Sequence, residues 1–231
     1  MKTIYAEIDK RLIESMPQVH FGGRIFTVAT EAECDKAVRQ LMDADLIGLD
    51  TETRPNFTHG EQACKVSLLQ LSTRDTCFLF RLNRIGIPDS LATLLSAKKP
   101  LKVGLSMRDD IRALCQRREI SIPRYVELQK MVKEIGVQDM SLQKIYANLF
   151  GGRISKTQRL SNWESPILTD GQKLYAATDA WACIKIYDQL IRFRTGEEYE
   201  YVAPMDDQRM FDIWQSRMFE DIKQRLISLN S

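Results

Sequence analysis

This sequence predicts an α/β fold with a mixed β-sheet flanked by helices, on three observations. Short apolar runs at "LIGLD" (46–50), "KVSLLQLS" (65–72) and "TCFLFRL" (76–82) have the length of buried strands. The polar "TRD" between the last two marks a hairpin, so the early strands form a meander. Further along, strands alternate with helical patterns, which turns an all-β beginning into a mixed sheet.

Taken in order, a polar N-terminal arm precedes "GRIFTVAT" (23–30), a strand. "EAECDKAVRQLMDA" follows with helical spacing of Cys34, Val38, Leu41 and Met42. "SLATLLSA" (90–97) is a helix, "LKVGL" (101–105) a strand and "RDDIRALCQRR" (108–118) a helix. Two more helices are expected at "SLQKIYANLF" (141–150) and over the long periodic stretch 169–193. Both open on a Ser or Thr, and "TDGQ" has the Gln three residues on that completes a capping box. After Gly196 the chain turns polar and is interrupted by Pro204. A stripe of Phe211, Trp214, Met218, Ile222 and Leu226 then predicts a helix that packs back on the same domain, with a partner-binding helix as the alternative. The organisation expected is an arm (1–24), one domain (25–195) and a C-terminal helical extension (196–231).

Composition bounds the function loosely. The 231 residues are 44% hydrophobic and 28% charged, which suits one soluble globular domain with its own core. No apolar run approaches the ~18 residues of a membrane span, and the N-terminus has no signal-peptide core. A cytoplasmic protein without a membrane partner is therefore expected. Five scattered cysteines with no CxxC read as reduced thiols. The net charge of +2 neither marks nor excludes a nucleic-acid partner. Basic residues nevertheless crowd two sections, Lys98 to Arg118 and Arg153 to Arg159, while "GEEYEY" and "MDD" are acidic.

Three acidic signals carry the chemistry. Asp50 and Glu52, in "GLDTETRP", sit two apart on a strand, so both side chains share a face. Read alone, they fit a strand edge facing solvent, and the nearby cations are only Arg54 and Lys65. Tyr175 and Asp179, in "LYAATDAWACIKIY", share a helix face one turn apart. Pairing of Asp179 with Lys173 or Lys185 would also account for that acid. Asp109 and Asp110, in "KVGLSMRDDIRALC", begin a helix, where capping explains at least one of them. Two acids exceed that need, so Asp109 is assigned to the cap or solvent and Asp110 to a site. A set of oxygen ligands without His or Cys points to hard cations, magnesium or manganese. Both histidines, His20 and His59, fall outside these motifs.

The three ordered motifs resemble those of the 3′–5′ exonucleases of the DEDD superfamily. "GLDTETRP", "VGLSMRDDIRAL" and "LYAATDAWACIKIY" match its first, second and third motifs. Tyr175-x-x-x-Asp179 marks the tyrosine subclass, and the third motif is most similar to Werner-type exonuclease domains. The resemblance covers residues 25 to 195 and implies a ribonuclease H-like fold. It implies two divalent cations, Mg2+ or Mn2+, ligated by Asp50, Glu52 and Asp179, with Asp50 bridging both. Asp110 would bind the second ion through water, and Tyr175 would orient the attacking water at the 3′-terminal phosphate. Phe57, in the loop after the first motif, is a candidate for stacking on a terminal base, or for covering local core. Lys156 and Arg159, in the basic loop "GGRISKTQRLSNW", are candidates for backbone phosphates, and Trp163 reads as structural.

The function expected is therefore removal of nucleoside monophosphates from a single-stranded or recessed 3′ end, of DNA before RNA. The alternatives are an RNA-trimming exoribonuclease like ribonuclease D, or a nucleic-acid-binding module without turnover. The domain takes up almost the whole chain, so a helicase or repair partner would act in trans.

Overall fold

The computed structural model describes residues 1–56 and 64–203. Its centre is the meander expected from the apolar runs: β4 (Leu46–Glu52), β5 (Leu68–Ser72) and β6 (Thr76–Phe80), antiparallel throughout. β5 and β6 are buried on both faces, hence their continuous apolar character. β3 (Arg24–Val28) joins parallel to the outer side of β6. On the other side β7 (Leu101–Gly104) and β8 (Tyr125–Glu127) add in parallel, giving the order β3-β6-β5-β4-β7-β8. The sheet is mixed and flanked by helices, as the sequence predicts.

Each sheet face has its own helical cover. Leu49, Leu69, Leu71, Phe78 and Phe80 pack with Cys34, Val38 and Leu41 of α2 (Glu31–Met42), and with Leu91, Leu94 and Leu95 of α4 (Asp89–Ser96). Between β6 and α4 lies the short α3 (Leu82–Ile85), which takes the last residue of the expected strand 76–82 into a helix. The opposite face carries Leu68, Cys77 and Leu79, which meet Ala176 and Ala177 of α8 (Asp170–Arg194). With 25 residues, α8 runs about 37 Å. Its capping box is present, Thr169 with Gln172. The helix lies hard against β4: a Cβ added to Gly48 would come 1.9 Å from the Ala180 carbonyl oxygen. α5 (Met107–Cys115) follows β7, α6 (Leu128–Glu134) follows β8, and α7 (Leu142–Phe150) packs beside α8.

The segments flanking this sheet form two small parallel sheets of their own. β1 (Lys2–Tyr5) pairs in parallel with β10 (Tyr199–Val202), and β2 (Gln18–Val19) with β9 (Arg153–Ile154). α1 (Lys10–Ser15) lies between β1 and β2, and Ile4, Leu12, Ile13 and Phe21 are buried. The stretch expected as a polar arm thus contributes its own apolar cluster, with Ala147 of α7 as part of it. The stripe from Phe211 to Leu226 lies outside the described residues. No described helix is long and apolar enough to cross a membrane.

Candidate active site

The carboxyl ends of β4 and β7 and the first half of α8 converge on one spot, where ligands commonly sit in open α/β sheets. Asp50 and Glu52 leave β4 on the face that α8 covers. Asp179 of α8 is 7% exposed and reaches them, so that one oxygen from each of the three carboxylates lies within 4.8 Å of the others. The absent side chain of Gly48 is what permits that approach. Asp110, in the first turn of α5, accepts a hydrogen bond from the Thr51 hydroxyl at 2.5 Å. Asp109 is exposed, so Asp110 is the acid of this pair that faces the site. The α5 N-terminus is capped from outside the motif: the Glu127 carboxylate accepts from the amides of Ser106 (3.0 Å) and Met107 (2.8 Å). The cap expected of Asp109 therefore belongs to Glu127, and solvent is what remains for Asp109.

Tyr175 stands one turn from Asp179, hydrogen-bonds it, and has its ring 6.0 Å from that of Trp163. Trp163 is fully buried, in keeping with a structural role. Lys156 and Arg159 are exposed on the loop after β9, near enough for their charges to act on Asp179 and Glu52 respectively. Phe57 lies outside the described residues. Arg54 forms an ion pair with Glu164 at 3.3 Å. Among the described residues none of the four acids is in an ion pair.

Residues 25–192 match the family model of the 3′–5′ exonuclease domain. The chain belongs to the 3′–5′ exonuclease family. Mouse bifunctional 3′-5′ exonuclease/ATP-dependent helicase WRN is 29% identical over 194 residues, 79% of this chain and 14% of the mouse protein. An Arabidopsis thaliana 3′-5′ exonuclease is 30% identical over 191 residues, 76% of this chain and 66% of the plant protein. The chain thus spans a small part of the first relative and just under two thirds of the second. Escherichia coli RNase D, an exoribonuclease involved in structured RNA processing, shares the fold. Its TM-score is 0.66 at 19% identity, over 73% of this chain and 44% of that one.

The electrostatics of this exonuclease-family site follow from burial with little counter-charge. Burial, then the charges of Asp110, Asp179 and Glu52, hold the Asp50 carboxyl well above the ordinary carboxylate range. Burial and the charges of Asp179 and Asp110 push Glu52 to about 9, against the pull of Arg159. Burial raises Asp179 to about 7, although Tyr175 and Lys156 oppose it. Asp110 stands at about 6, raised by burial and by Asp109 and Glu127, and lowered by the Thr51 hydrogen bond. The Tyr175 hydroxyl is pushed up by burial and by the neighbouring acids, so it stays protonated. Such a cluster, made of oxygen donors alone, fits hard divalent cations, whose charge would offset what the protein leaves uncompensated. Thr51 and Glu127 escaped sequence reasoning. Thr51 lies between the two acids on the opposite face, and Glu127 is brought in by the β7–β8 pairing with no local signal.

Proposed function

We propose that the chain is a divalent-cation-dependent 3′–5′ exonuclease that hydrolyses the 3′-terminal phosphodiester and releases nucleoside monophosphates. One observation carries this reading: the convergence of Asp50, Glu52 and Asp179, with Asp110 and Tyr175 beside them. Asp50, Glu52 and Asp179 would hold the cations directly, and Asp110 from the side of β7. Bound there, Mg2+ or Mn2+ supplies the charge that lowers the pKa of an attacking water and stabilises the attacking and leaving oxygens.

The chain's own groups do the remaining work. Tyr175, kept protonated, positions the water at the terminal phosphate. Lys156 and Arg159 hold the phosphates that follow. DNA is the substrate class we favour, on the Werner-type third motif and the similarity to the mouse exonuclease/helicase. RNA is the second reading, favoured by the likeness in fold to an exoribonuclease. A helicase or repair protein acting in trans on a 3′ end fits the first of these, in the cytoplasmic setting expected from the sequence.

End-labelled oligonucleotides test both levels. With Mg2+ or Mn2+, 5′-labelled strands should shorten one nucleotide at a time, 3′-labelled strands should release labelled mononucleotide at once, and EDTA should stop both. The exonuclease reading fails if no such release occurs or if Asp50→Ala retains full activity, and faster trimming of RNA than of matched DNA reverses the substrate assignment.

A further inference from the structure

The middle of β5 carries an amide without a partner among the described residues. Gln70 is fully buried, yet neither its Oε1 nor its Nε2 meets a hydrogen-bonding atom of those residues. Buried amides are ordinarily satisfied, because an unmade hydrogen bond leaves the whole desolvation cost standing. A leucine like the flanking Leu69 and Leu71 would avoid that cost, so packing gives no reason for glutamine here.

Its place in the sheet does give one. Gln70 stands directly opposite Asp50 in the antiparallel β4–β5 pair, so both side chains leave the same face. Opposed residues of this kind have Cβ atoms about 4.5–5.5 Å apart. On the other side Gln70 faces Leu79 of β6, which offers the amide nothing. Ser72, the next polar side chain of β5 on this face, gives its hydroxyl to the Thr73 carbonyl. Among the described residues, this pairing sets the Asp50 carboxylate beside the amide. An amide nitrogen donates, and an ionised carboxylate accepts through both oxygens.

The geometry points to Gln70 as a positioning residue of the cation site, its amide nitrogen holding the Asp50 carboxylate toward Glu52 and Asp179 when divalent cations are bound. This rests on the exonuclease reading. Groups that orient a metal ligand typically change metal affinity 10–100-fold when removed.

The test uses the full chain and Gln70→Met, which keeps length and burial but loses the amide. Calorimetric titration with Mn2+ should give a dissociation constant about 10–100-fold weaker than wild type. The melting temperature in EDTA should be equal to or above wild type, and kcat should fall with the KM for an oligonucleotide unchanged. An unchanged Mn2+ dissociation constant overturns the proposal. If Gln70→Met does not fold, the side-chain NH2 signals of 15N-labelled wild type decide. Mg2+ should move those of Gln70 and leave those of Gln189 in place, and unmoved Gln70 signals overturn the proposal. A wild-type chain that binds Mn2+ but releases no nucleotide defeats the exonuclease reading while both readouts still judge Gln70. One that binds neither cation defeats both.

Discussion

Tyr175 and Asp110 surround the same carboxylates but are held in different ways, and that difference governs what each substitution should do. Tyr175 takes its position from the Trp163 ring and from Asp179 one turn along α8. In the proposed mechanism its hydroxyl positions water and does not ligate a cation. Tyr175→Phe should therefore lower kcat by roughly 10²–10³-fold, the scale of losing one well-placed hydrogen-bonding group. Mn2+ affinity by calorimetry should remain that of wild type, and a matching loss of affinity would make Tyr175 part of the cation site. Asp110 is fixed by Thr51, and the helix that carries it is capped by Glu127. The sequence singled out Asp110 because two adjacent acids exceed what one helix start needs. It could not reveal Glu127, whose contact depends on β8 pairing beside β7, or Gln70, which reads as one polar residue inside an apolar strand.

Among the elements, α8 and β4 decide whether the acids meet. Asp179 belongs to a helix of 25 residues and reaches Asp50 only because that helix touches the β4 backbone at Gly48. An alanine there collides with the carbonyl of Ala180, which is backbone and cannot swing aside. Gly48→Ala should destabilise the chain by roughly 1–3 kcal/mol, the usual cost of overpacking. Activity should fall about 100-fold, since a misplacement of about 1 Å is felt at that scale. Melting curves and turnover on one oligonucleotide check this, and a fully active, stable Gly48→Ala would show that the contact is not needed. α8 was legible from its capping box and its length, and the meander strands from their continuous apolar runs. β1, β2, β8, β9 and β10 span four residues or fewer, and several are half exposed, so little apolar patterning marked them. Their partners lie far away in sequence, Lys2 against Tyr199 for one, and only the folded chain shows the pairing.

For the molecule as a whole, the acid cluster sets a conflict between function and stability. Asp110 at about 6, Asp179 at about 7 and Glu52 at about 9 all stand above the unfolded carboxylate values of about 3.9–4.3. Between the unfolded and folded values the native chain holds protons that the unfolded chain has already lost. The slope of stability against pH is then negative, so this contribution is most favourable below about pH 4 and declines as pH rises through the folded values. Bound cations reverse the decline, because they bind the native site and replace the protons. The central claim is that Asp50, Glu52 and Asp179 are cation ligands, and thermal melting from pH 5 to pH 8, in EDTA and in Mn2+, tests it most directly. The account predicts a melting temperature that falls with pH in EDTA and a Mn2+-induced rise that grows over the same range. A melting temperature indifferent to both pH and Mn2+ would contradict it.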